Sequence, residues 1–219
     1  MKVKIFGERK SGTNYLEQLI ENNLRCQVLN SHYTGNSGWK HGKPNLTKFK
    51  NMNDILFICI FRDLDSWLNS MFISSYHLKR SNNFVEFCTK PMKIDEKRSD
   101  HPVNLSSFER NKTLLELRYE KFRAYAVLHK YNVVYITLNY LQKNENQFLS
   151  KISNAYLIPI KRFQTIDKHI KSRHIDYNID VLIPKSLIDT KIENKIKKLK
   201  IEIHVMKNTG CSPTFLIIG

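Results

Sequence analysis

The segment from Gly7 to Gly12 begins and ends with a glycine, has four residues between the two glycines, and contains a lysine at position 10. Glycines at this spacing let backbone N–H groups curve around a phosphate, and a helix that follows directly adds its N-terminal dipole. A nucleoside triphosphate site would place Lys and then Ser or Thr after the second glycine, but Thr13 and Asn14 occupy these positions. The segment therefore predicts a phosphate-binding loop without the groups that hold a triphosphate and its magnesium ion.

A second anion-binding feature follows the apolar run 55–61. Arg62 comes directly after this run, and Ser70 lies eight residues later on a predicted helix. Ligands of open α/β sheets bind at the carboxyl ends of strands, and a planar guanidinium suits a phosphate better than an ammonium does. Helical periodicity places Ser70 on the face with Ser66, away from the apolar residues Trp67 and Leu68. We therefore expect Arg62 and Ser70 to meet the same phosphate.

Histidine is the usual proton acceptor in enzyme catalysis, because its pKa lies near neutrality. One candidate is His41, in the range 39–42 (WKHG), 21 residues before Arg62. His32 is the competing candidate. The remaining histidines lie outside any recognisable constellation: His77, His101, His129, His169, His174 and His204.

Strand and helix patterns alternate along the chain, which predicts a three-layer α/β sandwich with a central parallel sheet flanked by helices. Ser106 and Glu109 form a capping-box pattern that predicts a long helix to about Lys130. The range 80–104 has little pattern and is predicted to be a loop or lid. Strands are predicted over 2–6, 55–61 and 133–138, and helices over 13–24, 64–72, 145–155 and 186–201.

The length of 219 residues predicts one globular domain over 1–219. The net charge of +16 favours anionic partners without choosing among a nucleotide, a polyanion, nucleic acid and a membrane surface. No C-x-x-C pair is present, so neither a zinc site nor a disulfide framework is predicted. With no apolar run of transmembrane length and no signal-like N-terminus, we expect a cytoplasmic protein. The cysteines are widely separated: Cys26, Cys59, Cys88 and Cys211.

Taken together, these motifs resemble the sulfotransferases that use 3′-phosphoadenosine 5′-phosphosulfate. The range 10–16 (KSGTNYL) resembles the family's 5′-phosphosulfate loop, KSGTTWL. The range 60–63 (IFRD) with Ser70 resembles its 3′-phosphate motif at the same spacing. The resemblance implies the P-loop-like sulfotransferase fold, with donor-binding motifs in 2–75 and acceptor-shaping residues in 76–219.

The resemblance also implies residue roles, a product (adenosine 3′,5′-bisphosphate) and a reaction that requires no metal. Lys10 would neutralise the oxygen that bridges phosphate and sulfuryl group, and His41 would take the proton of the acceptor. Lys40 and His41 resemble the family's K-x-H segment, although they adjoin directly here. Tyr15 either replaces the family's tryptophan against adenine or packs in the core. The implied donor-binding residues are Lys10, Ser11, Gly12, Thr13, Asn14, Tyr15, Arg62 and Ser70.

The sequence departs from the family because the glycine-rich R-K-G segment near the C-terminus has no match. Arg110, Lys112 and Arg118 are the candidates to replace it at the 3′-phosphate. The acceptor is left open among a carbohydrate, a phenol, a lipid headgroup and a peptide tyrosine.

Two other classes of function stay open from the sequence. A P-loop kinase or NTPase would need a lysine after Gly12 and an acidic magnesium ligand, for which only Asp63 qualifies. A nucleic-acid or polyanion-binding module would use the positive charge, but no aromatic-basic sheet motif, helix-turn-helix or zinc finger is present.

Overall fold

A computed structural model describes residues 1–29, 38–74, 78–79, 81–93, 112–166 and 215–218. The chain divides into two compact units: 1–63 with 124–172 and 209–219, and 64–123 with 173–208. Within the described ranges, no helix is long and apolar enough to cross a membrane. The single domain expected over 1–219 stays a prediction.

The described part of the first unit contains a sheet of five parallel strands in the order β2-β1-β3-β4-β5. Because β1 lies between β2 and β3, the chain leaves β1 towards one side of the sheet and later returns to its other side. The carboxyl ends of β1 and β3 therefore form a topological switch point, where open α/β sheets bind ligands. The strands are β1 Lys2–Gly7, β2 Gln27–Val28, β3 Ile55–Phe61, β4 Val133–Thr137 and β5 Phe215–Ile218.

The helices of the described residues agree with several predicted bounds, notably α1, α2 and the helix near 145–155. The apolar periodicity of these helices made them predictable from the sequence. Their ends differ from the predicted bounds by a residue or two. The predicted helix over 186–201 lies outside the described residues. The helices are α1 Thr13–Asn23, α2 Leu64–Ile73, α3 Phe84–Thr89, α4 Leu114–Ala126, α5 Leu138–Lys143 and α6 Glu145–Tyr156.

One face of the sheet packs aliphatic side chains against α1 and α6. Leu16 and Leu19 of α1 and Ile152 of α6 are fully buried with Ile5 and Ile58 of the central strands. Burial of each such side chain contributes about 1.5–3 kcal/mol of hydrophobic stabilisation. This aliphatic layer fixes α1, and with it the loop that precedes the helix, against β1.

The opposite face carries an aromatic core. The rings of Phe6 and Phe57 stack 6.3 Å apart, and Tyr125, in the last turn of α4, stacks 5.9 Å from Phe6. Phe49 meets Phe57 edge-on at 5.5 Å. Helical residues thus cover both faces of a parallel sheet, which confirms the predicted α/β class with flanking helices.

Two predictions about the middle of the chain were wrong. Ser106 and Glu109 lie outside the described residues, but 112–113 are not helical, so no continuous helix runs from there to Lys130. α4 begins at Leu114, where Thr113 and Glu116 form the capping box: Glu116 Oε2 accepts from the Thr113 N–H at 2.9 Å, and Thr113 Oγ1 from the Glu116 N–H at 3.2 Å.

The second correction concerns the loop expected over 80–104, which contains the short helix α3. The Asn83 side chain caps this helix by accepting a hydrogen bond of 3.1 Å from the Glu86 N–H. Asparagine is a favoured residue at such an N-cap, but six helical residues are too few to show a clear apolar period.

Candidate functional site

The loop after β1 is a tight turn held by its own backbone. Both the N–H and the hydroxyl of Ser11 donate to the Glu8 carbonyl, at 3.2 and 2.7 Å. Lys10, with φ of 64°, and Gly12, with φ of 92°, both adopt the left-handed conformation that glycine favours. The loop accommodates this conformation at a lysine, which is uncommon for a residue with a side chain.

Gly7 is required by close approach at the end of β1. A Cβ atom added to Gly7 would lie 2.6 Å from the Ser11 Oγ, 2.8 Å from the Ile60 carbonyl oxygen and 2.8 Å from its Cγ2. Since the Ile60 oxygen belongs to the backbone of β3, it cannot rotate away. The absence of a side chain at Gly7 therefore lets the loop fold directly onto the neighbouring strand.

We expect Gly7→Ala to lower the free energy of unfolding by about 1–3 kcal/mol, because the added methyl group overpacks the contact between β1 and β3. Gly42→Ala is the matched control, since the nearest atoms to its Cβ lie 3.4–3.8 Å away. Urea denaturation of both variants measures the difference. Equal stability of the two variants would contradict the packing argument.

The N-terminus of α1 presents backbone donors at the end of this loop. Gly12 is the N-cap residue, no side chain caps the helix, and the first turn contains no acidic residue. The first intrahelical bond runs from the Leu16 N–H to the Gly12 carbonyl at 3.0 Å. The N–H groups of Thr13 and Asn14 precede that bond, so they and the helix dipole favour an anion at this point.

Two cationic side chains converge beside these donors. Arg62, directly after β3, donates from Nη1 to the Lys10 carbonyl at 3.3 Å. Burial lowers the pKa of Lys10, and the charges of Arg9 and Arg62 lower it further. Burial also lowers the pKa of Arg62, whereas Asp63 raises it. A bound anion would relieve this repulsion between like charges and stabilise both charged forms.

His41 lies at the same end of β1, held by the backbone of Gly7. The Gly7 N–H donates to the Lys40 carbonyl at 2.9 Å, and the His41 Nδ1 lies 2.9 Å from the Gly7 carbonyl oxygen. A carbonyl oxygen can only accept, so Nδ1 carries the hydrogen of this bond. In the neutral ring, Nε2 then holds the lone pair, which is the state that a general base requires.

The Lys40 ammonium is directed towards α1. It donates to the Asn14 Oδ1 at 2.6 Å and forms an ion pair of 2.5 Å with Glu17 Oε2. These contacts attach the segment 38–41 to the first turns of α1. They give Lys40 a role in positioning His41 beside the loop.

The structure thus brings Lys10, Arg62, Lys40 and His41 together at the switch point between β1 and β3. Ser11 and Thr13 belong to the same loop but are buried, with the Ser11 hydroxyl closing the turn. Since the Ser11 N–H and hydroxyl both donate to the Glu8 carbonyl, the backbone N–H groups of Thr13 and Asn14 are the donors that this geometry presents to an anion.

Tyr15 packs in the core, which is one of the two placements that the sequence left open. Its side chain is 8% exposed in the aliphatic layer, and its hydroxyl donates to the carboxylate of Glu145 in α6. Burial, and then the bond to Glu145, raise the pKa of Tyr15. In this position the Tyr15 side chain connects α1 to α6.

Ser70 and the proposed auxiliary cations belong to the second unit. Ser70 is half-buried on α2, whereas Trp67 and Leu68 of the same helix are buried. Lys112 forms an ion pair with Glu120. Arg118 is 3% exposed, with its guanidinium 4.4 Å from the Trp67 ring centroid and 4.8 Å from that of Phe122. Lys112 and Arg118 therefore have structural contacts within this unit, while Arg110 and His32 lie outside the described residues.

Sequence reasoning missed two members of the site. The Arg9 guanidinium lies 5.0 Å from the Trp39 ring centroid, and Trp39 meets the His41 ring edge-on at 5.3 Å. This stack supports the imidazole from the side and adds a cation near Lys10. Trp39, two residues before the candidate base, could have been recognised from the sequence. Its partner Arg9 could not, because it lies 30 residues earlier in the chain.

Comparison with protein-family models, with curated proteins and with solved structures finds no match to this chain. What the site can do is therefore inferred from its own residues and their geometry.

Proposed function

We propose that this protein is a sulfotransferase that moves the sulfuryl group of 3′-phosphoadenosine 5′-phosphosulfate to a hydroxyl or amine. The observation that carries the proposal is the convergence of Lys10, Arg62 and the His41 ring at the carboxyl ends of β1 and β3, beside the uncapped start of α1. Two cations, helix donors and an oriented base are the groups that this reaction needs.

The site residues fit the phosphates of such a donor. The N–H groups of the loop and of the first turn of α1 suit the 5′-phosphate, and the planar Arg62 guanidinium suits the 3′-phosphate. Lys10, between them in the loop, would hold its charge near the bridging oxygen. Ser70 and the adenine contacts stay predictions from the motif resemblance.

The donor supplies an activated sulfuryl group, whose bond to the phosphate oxygen breaks as a bond to the acceptor oxygen or nitrogen forms. His41 would take the acceptor proton on Nε2, since Nδ1–H is engaged with the Gly7 carbonyl. Lys10 and the loop N–H groups would stabilise the charge that develops on the leaving phosphate. Lys40 and the Trp39 ring would keep the imidazole in place during the step.

Calorimetric titration with adenosine 3′,5′-bisphosphate, alongside ATP with magnesium, tests the proposal. We expect micromolar or tighter binding of the bisphosphate and at least about tenfold weaker binding of ATP, because the loop lacks the Gly-Lys-Ser/Thr order that a triphosphate requires. Preference for ATP would favour a kinase or NTPase instead.

The salt dependence of the same titration distinguishes a nucleotide site from a polyanion-binding surface. Few charges are neutralised by one nucleotide, so its affinity should fall shallowly with ionic strength, whereas binding to a nucleic-acid backbone falls steeply. Failure to bind either nucleotide, together with steep salt-dependent binding of a polyanion, would replace the proposal with a role for the +16 charge.

A further inference from the structure

A lysine is buried in β1, an inner strand of the sheet. Lys4 of β1 is 0% exposed and pairs in register with Phe57 of β3. Its ammonium lies 5.4 Å from the centroid of the Phe6 ring. Removing an ammonium from water costs free energy, and an apolar residue of similar volume would fill this position without that cost. Core packing therefore does not account for a lysine here.

The Lys4 ammonium donates a hydrogen bond of 2.6 Å to the Gly38 carbonyl. Gly38, with φ of 75°, begins the segment 38–41 that carries His41. The other end of the segment is tied to Gly7, through the Lys40 carbonyl and the His41 ring. The segment is thus attached to β1 twice, by Lys4 at its start and by Gly7 at its end.

We infer that Lys4 is a positioning residue: its ammonium holds the segment 38–41, and with it the His41 ring, against the end of β1, and deprotonation of this ammonium loosens the segment. The inference rests on the proposed function only in giving His41 the role of base. Lys4 acts through Gly38 rather than on the reacting atoms.

The charge state of Lys4 is poised to change in mildly alkaline solution. Burial lowers the pKa of Lys4 to about 8, Glu17 of α1 raises it, and Lys40 of the segment and Lys48 of the 3-10 turn at 46–48 lower it. The ammonium is therefore mostly present at pH 7 and mostly absent above pH 9. A charged donor forms a stronger hydrogen bond to a carbonyl than a neutral amine does.

As the pH rises, deprotonation of Lys4 should make the fold more stable and should loosen the attachment of the segment 38–41. The pKa of Lys4 in the folded chain lies below its unfolded value of about 10.4, so between these values the unfolded state binds more protons and stability rises with pH. The bond to Gly38 weakens over the start of the same window. A purely structural lysine would not combine a more stable fold with a looser site.

The test follows the indole N–H signals of the two tryptophans, Trp39 and Trp67, by NMR from pH 6 to 10 in the full chain without nucleotide. We expect the Trp39 signal to shift with a midpoint near pH 8 in the wild type. Lys4→Met should abolish this transition and leave the signal at its high-pH position throughout. Lys2→Met, at the exposed start of β1, is the matched control and should keep the transition.

His41→Gln separates the two titrating groups near Trp39. A transition that this variant removes belongs to the imidazole, while the transition assigned to Lys4 should persist. The inference is overturned if the wild type and His41→Gln show no transition between pH 7 and 9, or if Lys4→Met retains it. If Lys4→Met does not fold, Lys4→Arg takes its place, because a guanidinium keeps its charge over this pH range and should likewise abolish the transition.

Three further measurements on Lys4→Met separate positioning from stability. Its melting temperature at pH 7 should rise by roughly 3–8 °C, since the buried charge is gone. Its kcat for sulfuryl transfer should fall about tenfold or more through misplacement of the base, with bisphosphate affinity within about twofold of wild type. A lower melting temperature with unchanged kcat would reduce Lys4 to a structural residue.

The outcomes for the inference and for the proposed function are independent. A protein that shows the Trp39 transition but binds no adenosine 3′,5′-bisphosphate keeps the positioning role of Lys4 and loses the sulfotransferase proposal. A protein that binds the bisphosphate without the transition loses only the positioning role.

Discussion

Arg62→Ala should weaken binding of adenosine 3′,5′-bisphosphate by about 10- to 150-fold. A hydrogen bond to a charged group contributes about 1.5–3 kcal/mol, and each 1.4 kcal/mol is a factor of ten in affinity. The alanine variant also loses the contact of 3.3 Å with the Lys10 carbonyl, so the loop is held less firmly. Calorimetry on the folded variant measures the loss.

Arg25→Ala is the control for this loss, because Arg25 is an exposed arginine just before β2 in the same unit. It should bind the bisphosphate like the wild type. Arg62→Lys should retain part of the affinity, since the charge remains while the planar pair of donors is lost. A dissociation constant for Arg62→Ala within twofold of wild type would remove Arg62 from the site.

The fold was predictable where burial produced a repeating pattern. The run 55–61 is apolar throughout because β3 is covered on both faces, and α1 shows one apolar stripe because only one face packs on the sheet. The edge strand β2 has only two residues and shows no pattern, while the edge strand β5 (FLII) is apolar but, with four residues, too short to indicate a strand rather than part of a helix. An edge strand of two to four residues forms where the neighbouring strand offers backbone hydrogen bonds. Its position therefore depends on the tertiary structure and not on its own sequence.

The start of α4 was ambiguous in the sequence because the chain contains two capping-box patterns close together. The S/T-x-x-E pattern occurs at 106–109 and again at 113–116, seven residues further on, and both precede apolar residues. The structure uses the second at the start of α4. The sequence alone does not rank them, because each would cap a helix equally well.

The site was predictable in its parts and less so in its assembly. The positions of the loop 7–12 and of Arg62 follow from strand ends that a parallel sheet must bring together. The tautomer of His41 depends on the Gly7 carbonyl, 34 residues away, and Lys4 would be assigned to the surface by its residue type. Such long-range pairings arise only from the packing of the segment 38–41 against β1.

His41→Gln should reduce the rate of sulfuryl transfer by about 10²- to 10⁴-fold, the usual contribution of a general base. Glutamine can still donate to the Gly7 carbonyl, but its amide has no basic lone pair for the acceptor proton. Affinity for adenosine 3′,5′-bisphosphate should stay within twofold, since the loop and Arg62 are unchanged. Radiolabelled sulfuryl transfer to the first acceptor found by screening, with calorimetry in parallel, measures both quantities.

His129→Gln is the matched control, because His129 makes a similar bond of 2.8 Å from Nδ1 to a carbonyl oxygen, that of Ala126, at the other end of the sheet from the loop. It should transfer at the wild-type rate. An undiminished rate in His41→Gln would move the base elsewhere, with His32 as the next residue to replace. Loss of bisphosphate affinity with the rate would instead mean that His41 supports the loop, because a general base acts on the acceptor and leaves donor binding intact.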